Sequence, residues 1–203
     1  GNIYVNGYLG DADYDQGKYW YQKAAQAGDG ASIEFLKPNA APFGLEITKA
    51  NIADFKKEFP HHREYKDDAI YNGGSIFFVS PKYIKLNRVI DEVAFVFNKS
   101  EILEAVNIVL DRDQYYEVQS SIKSKYKPLV PGSETYFLAG NTEILLKKQF
   151  YLFDDAAVSS YNNGKLAMTL IYQSRAFSSL IFKRGQILRK RENDKQHNQR
   201  KML

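Results

Sequence analysis

Cysteine is absent from the 203 residues, which excludes disulfides, thiolate metal sites, thiol catalysis and attachment through a lipidated cysteine within this chain. Histidine is almost as scarce, with only His61, His62 and His197. A metal centre needs three or four ligands at matched spacing, and neighbouring side chains of a strand point to opposite faces. The adjacent pair His61-His62 therefore reads as a polar loop after the helix stop Pro60 rather than as a chelating pair. Long apolar runs are missing: none approaches the roughly 20 residues needed to span a bilayer. So are the motifs of common chemistry, the Gly-x-Ser-x-Gly elbow, the phosphate-binding loop, His-Glu-x-x-His and the dinucleotide fingerprint. We expect no metal and no cofactor, and the sequence nominates no catalytic residue.

What is present points to a folded chain. Hydrophobic residues make up 44%, too many for a disordered protein, and 15 Tyr and 13 Phe suit strand faces and contact surfaces. The net charge of +4 is unevenly placed. Between Lys183 and Lys201 eight basic residues stand against Glu192 and Asp194, a local +6, and residues 1–182 carry 20 basic and 22 acidic groups, or −2. The body is close to neutral and the basic character lies at the end. A first residue of Gly1 rather than Met leads us to expect a natural start further upstream, after a signal peptide or an earlier domain.

Residues 1–31 read as two short helices. Ile3, Tyr4 and Tyr8 share one side of the first, and Gly7 and Gly10 break it. Asp11, Asp13 and Asp15 open the second at its favourable N-terminal pole, where Tyr14, Trp20, Tyr21, Ala24 and Ala25 fall at helical spacing and Gly28 ends it. The same acids imitate the opening of a calcium loop, but its sixth and twelfth positions hold Gln16 and Gln22 where Gly and a bidentate Glu are wanted. The helix-opening reading also explains Trp20 and the Ala pair.

This segment resembles the Sel-one-like repeat, a branch of the tetratricopeptide-like helical repeats. The matching residues are Gly1, Tyr4, Gly7, Asp13, Trp20, Tyr21, Lys23, Ala24, Ala25, Gly28 and Ala31, and Gly17 departs from the usual Ala. The resemblance implies a repeat core of Tyr4, Gly7, Trp20, Tyr21, Ala24, Ala25 and Gly28, with Trp20 buried. Such units need roughly three or more neighbours to bury their apolar faces. A single unit at residues 1–31 is thus expected to be the end of an array, docked on the domain C-terminal to it. The resemblance also implies bacterial adaptor roles, among them envelope proteins and immunity proteins that neutralise secreted toxins, and so favours the periplasm or cell envelope over the cytoplasm.

The remaining boundaries are a linker at residues 32–44, marked by Pro38, Asn39, Pro42 and Gly44, an α+β domain at 45–188, and a basic tail at 189–203. Thr48 is placed to cap a helix whose Ile52, Phe55 and Phe59 form an i, i+3, i+7 stripe. Strands are expected over residues 63–69, 75–80, 89–98 and 102–111, the last with Ile102, Val106, Ile108 and Leu110 on one face and Glu104 as the odd member. A helix over 113–126 points Tyr115, Val118, Ile122 and Tyr126 inward, strands come next at 134–138, 142–151 and 165–173, and a last helix runs from Arg175 to about Arg191. Tight turns make the strands antiparallel, with helices on one face of the sheet. The two helix-then-strands halves hint at duplication, a layout shared in topology with beta-lactamase-inhibitor-protein-like folds.

The carboxylate pairs Asp67-Asp68, Asp111/Asp113 and Asp154-Asp155 sit at turns or helix starts, where capping explains them. The basic tail lacks interleaved aromatics, which speaks against nucleic acid and leaves membrane-surface contact a weak option. Tyr19, Tyr71, Tyr83, Tyr116, Tyr161 and Tyr172 are candidate partner-binding residues. The expectation is a non-catalytic protein-interaction module whose partner is another protein. Its rival is a hydrolase or small-ligand-binding domain using loop His and Asp residues, which a pocket joining His61 or His62 to carboxylates would favour.

Overall fold

The computed structural model describes residues 13–66, 73–86, 89, 91–149 and 167–201. Five helices and eight strands lie among them: α1 Tyr14–Gln26, α2 Gly30–Phe35, α3 Ile52–Glu58, β1 Arg63–Lys66, β2 Ser75–Val79, β3 Val93–Phe97, β4 Leu103–Asp111, α4 Tyr115–Lys125, β5 Lys127–Pro128, β6 Tyr136–Ala139, β7 Thr142–Gln149, β8 Ala167–Ser174 and α5 Arg175–Lys201. The fold is α+β. All strand pairs are antiparallel, in the order β1-β2-β3-β4-β8-β7-β6-β5.

That order is two four-stranded meanders, each preceded by a helix, joined where β4 meets β8 from Ala105↔Gln173 to Asp111↔Ala167. It is the arrangement a duplicated helix-plus-strands unit would give.

The main core lies on the face that receives α3 and α4. Phe55 and Phe59 of α3 and Tyr115 and Ile122 of α4 meet Phe77, Phe95, Phe97, Val106 and Ile108 of the sheet there. Phe55 and Phe59 are buried and Ile52 is half-buried, as the i, i+3, i+7 stripe requires. The cap is not Thr48. Asn51 accepts from the Asp54 N–H while Asp54 accepts from the Asn51 N–H, each at 3.0 Å. Thr48 instead sits at φ 70°, where its hydroxyl accepts from the Asn39 amide at 2.8 Å.

The expectation of helices on one face holds for α3 and α4 but not for α5. Phe177, in the first turn of α5, packs on the opposite face against Ile76, Val96 and Ala105. A β-bulge explains Glu104. Phe97 pairs with Leu103 and Val96 with Ala105, so Glu104 is the extra residue between them. The bulge lets Leu103 and Val106 both enter the main core and turns Glu104 away from it.

Residues 32–44 are not a free linker. α2 runs through the expected boundary at residue 31, and Ser32, Phe35 and Ala40 are buried. Asn39 donates to the Ile47 carbonyl at 3.0 Å and accepts from the Asn141 N–H at 2.6 Å, while the Ala40 N–H donates to the Thr142 hydroxyl at 3.2 Å. This clamp holds the chain against the β6–β7 turn. Gly140 permits the approach, since a Cβ there would lie 2.3 Å from the Lys37 carbonyl oxygen. The basic tail likewise has no boundary at 189, because one helix, α5, runs through it.

The N-terminal helical hairpin differs from the repeat expectation at its sharpest point. Trp20 is 45% exposed, and Tyr21, at 7%, takes the inward position with its ring stacked on Phe35 at 3.6 Å. One helical step of about 100° separates the two residues, and the hairpin turns Tyr21 rather than Trp20 towards α2. Burial pushes the Tyr21 phenol up, with Arg175 beside it drawing it partly back. The Arg175 guanidinium also lies 5.9 Å from the Phe35 ring. Asp13 caps α1, accepting from the Gln16 N–H at 2.9 Å, and Gly28 at φ 87° comes just after its end, so the two ends are as the sequence suggests. Tyr4 and Gly7 lie outside the described residues.

These positions predict unequal substitutions. Trp20→Ala is expected to shift stability by no more than about 0.5 kcal/mol. Tyr21→Ala is expected to cost about 3 kcal/mol of local stability. Amide exchange in α1 checks both: protection should fall with the Tyr21 variant and stay with the Trp20 variant.

Candidate functional site

Side chains distant in sequence converge at the β1 edge of the sheet. α3 ends at Glu58, and residues 59–62 lead into β1. The end of β2 and the 3-10 turn Pro81–Tyr83 close one side, and Glu92, just before β3, closes the other. Antiparallel pairing does the gathering, since Arg63 lies across from Phe78 and Val79 across from Val93. The resulting cleft has a volume of about 400 Å³ and is open to solvent.

His62 is the anchored member. Its Nδ1 lies 2.7 Å from the Phe59 carbonyl oxygen, which makes that nitrogen the N–H donor, and its ring meets Phe55 and Phe77 edge-on at 5.3 Å. His61 stacks on Tyr83 at 4.7 Å with the planes 27° apart. The Lys82 ammonium sits 4.8 Å from the same tyrosine ring. Arg63 lies over Phe78 at 4.5 Å and bonds Glu92 through Nη2 at 2.6 Å.

The cleft does bring both histidines to a carboxylate, the feature the hydrolase reading asks for. Glu92 pairs with Arg63 in a solvated ion pair, His62 bonds a backbone carbonyl and His61 stacks on Tyr83, while no described hydrogen bond joins either histidine to Ser80 or to Glu92. Among the described residues, no hydrogen bond links His61 or His62 to a hydroxyl nucleophile. Among the described residues no three His, Asp or Glu side chains come together as metal ligands.

The tyrosine candidates scatter. Tyr83 is in the cleft. Tyr19 is exposed on α1, edge-on to Trp20 at 5.3 Å and beneath Lys23. Tyr116 is 75% exposed on α4, next to Tyr115 and Lys148. No described contact joins these three. Tyr172 is corrected: it packs on the main core, where burial and the neighbouring Tyr126 push its phenol up. The alternation of β8 carries Tyr172 inward with Met168 and Leu170. Tyr71 and Tyr161 lie outside the described residues.

Of the carboxylate pairs, Asp111 accepts from the Asp113 N–H at 3.1 Å, a capping role, and the other two pairs lie outside the described residues. Sequence reasoning missed Arg63, Phe78, Lys82 and Glu92. Only Arg63 carries a local hint, as the residue after the histidine pair; the others join through strand register alone.

Fold and cleft together define an α+β protein with two four-stranded meanders and an open cleft lined by aromatic, histidine and charged side chains. Compared with protein-family models, with curated proteins and with solved structures, the chain matches none of them.

Proposed function

We propose that the chain is a non-catalytic protein-interaction module that binds a partner protein at the His61–Tyr83 cleft. The observation that carries this reading is the make-up of the cleft: His62 is bonded to a backbone carbonyl and Glu92 to Arg63, while the Tyr83 ring and the Lys82 ammonium are exposed beside them. Tyrosine and arginine on open surfaces are the residues that most often anchor protein partners. Trp20, which the repeat pattern would bury, stands half in solvent, so the proposal rests on the cleft and not on the repeat.

The rival reading, hydrolysis or small-ligand binding, draws on the joint presence of His61, Ser80 and Glu92 in one cleft. Capture from the native organism with wild type and Tyr83→Ala in parallel separates the two. A stoichiometric protein retained by wild type and released at least about tenfold more readily by the variant is expected, the loss typical of an anchor residue. Equal retention by both chains, or turnover of a broad ester or peptide panel abolished by His61→Ala, would overturn the proposal.

A further inference from the structure

The cleft has a chemistry that narrows its partner. It holds two permanent cations, Arg63 and Lys82, against a single carboxylate, Glu92. Arg63 presents five N–H donors, of which one, on Nη2, is used on Glu92. Its guanidinium carbon lies 4.5 Å from the centre of the Phe78 ring, and the side chain is exposed. The Arg63 and Glu92 side chains are 59% and 37% exposed, so their pair is a solvated one that holds weakly. Lys82 makes no described hydrogen bond or ion pair and lies against the Tyr83 ring. Tyr83 gives one ring face to His61 and stays exposed beside these cations.

We infer that this cleft recognises an acidic segment of a partner protein, one Asp or Glu carboxylate taken by Arg63 and Lys82 and a flanking aromatic ring packed against the exposed Tyr83. Glu92 is then an internal place-holder, occupying Arg63 through one bond until a carboxylate that can bond it in two-pronged fashion displaces it. This rests on the reading of the cleft as a partner-binding face. It goes beyond that reading by naming the partner's chemistry and by giving Glu92 an inhibitory role that a merely structural ion pair would not have.

The test uses the full chain against three immobilised probes: a glutamate–tyrosine copolymer, polyglutamate, and a lysine–tyrosine copolymer. Wild type is expected to bind the glutamate–tyrosine copolymer best, polyglutamate several-fold more weakly, and the lysine–tyrosine copolymer not at all. Lys82→Glu and Arg63→Gln should each weaken binding by about tenfold, as loss of a charge-assisted contact does. Glu92→Gln should tighten it by roughly three- to tenfold, because the competitor for Arg63 is gone. Glu117→Gln, which changes net charge equally but lies on α4, should leave it unchanged. Circular dichroism on each variant confirms an intact fold.

Tightening by Glu117→Gln equal to that by Glu92→Gln would reduce the effect to bulk charge and overturn the inference. So would weaker or unaltered binding with Glu92→Gln, or complete displacement of the copolymer by inorganic phosphate, which would assign the cleft to a small anion. If Tyr83→Ala still releases the captured partner while the acidic copolymer neither binds nor competes, the acidic chemistry fails and the partner-binding face stands. If the partner is retained by Tyr83→Ala as well, both fail together.

Discussion

Phe55→Ala should lower the stability of the protein by about 3–5 kcal/mol, the cost of removing a large, fully buried aromatic side chain and leaving a cavity. Phe55 has no exposed surface, and its ring lies 4.9 Å from Phe77, 4.9 Å from Phe95, 5.5 Å from Phe59 and 5.6 Å from Phe97. No neighbour can follow it into the void, because Phe77, Phe95 and Phe97 are held in register by β2 and β3. α3 has seven residues, too few to persist without packing, and Phe55 is the side chain that docks it. The loss therefore reaches the cleft, since His62 leans on the same ring. Urea unfolding measures the first effect, and broadening of the His62 imidazole resonance the second. A loss below about 1 kcal/mol would mean that this cluster does not anchor α3.

The second large effect is set by pH. Glu104 is 7% exposed, accepts from the Asn98 amide at 2.8 Å and from the Ser174 hydroxyl, and Ser174 in turn accepts from the Phe177 N–H at 3.0 Å. One buried carboxyl thus ties the β3–β4 turn to the start of α5. Burial pushes its pKa above the ordinary 4.5, and the hydrogen bonds from Ser174 and Asn98 bring it only partly back. A carboxyl raised in the folded state holds its proton there while the unfolded chain releases it. Its contribution to stability is whole below the ordinary carboxylate range and is lost as pH rises through the raised folded value. Glu104→Gln, neutral at every pH, should match wild type near pH ~4 and exceed it increasingly towards neutrality. Ser174→Ala acts the other way, removing a donor to the carboxylate and a helix cap together, on the order of 3 kcal/mol. Thermal melts from about pH 4 to about pH 8 check both, and parallel curves for wild type and Glu104→Gln would refute the account.

Much of this fold is legible along the chain. The Ile52, Phe55, Phe59 stripe, the alternation of Val106, Ile108 and Leu110, and the turn at Asn98-Lys99-Ser100 each depend on residues within a few positions of one another. Local sterics and periodic burial decide such features, so pattern suffices. Thr48 has the side chain of a cap, yet Asn51 is the real one, because only Asn51 has an acidic residue at the third helical position to complete the reciprocal pair. The bulge at Glu104 is different in kind. A lone Glu in an apolar strand marks an irregularity, but its direction depends on how β3 pairs with β4.

The candidate site is less legible. His61, His62 and Tyr83 stand out one by one in the sequence, as a loop and as an exposed aromatic, with no reason to join them. Twenty-one positions and one strand pairing separate His62 from Tyr83; the pairing of β1 with β2 brings the histidine pair and Tyr83 into one cleft, and that of β2 with β3 adds Glu92. Composition and periodicity alone determined the α+β class, the antiparallel pairing, the inward faces of α3 and α4 and the lack of recognisable catalytic motifs. Tertiary structure decided which of Trp20 and Tyr21 is inside, which way Glu104 faces, that residues 32–44 are clamped to the sheet, and that Arg63, Lys82 and Glu92 share a cleft. The physical reason is range: the first set depends on neighbours a turn or a strand apart, the second on strand register and helix docking, which bring together residues many positions apart in the chain.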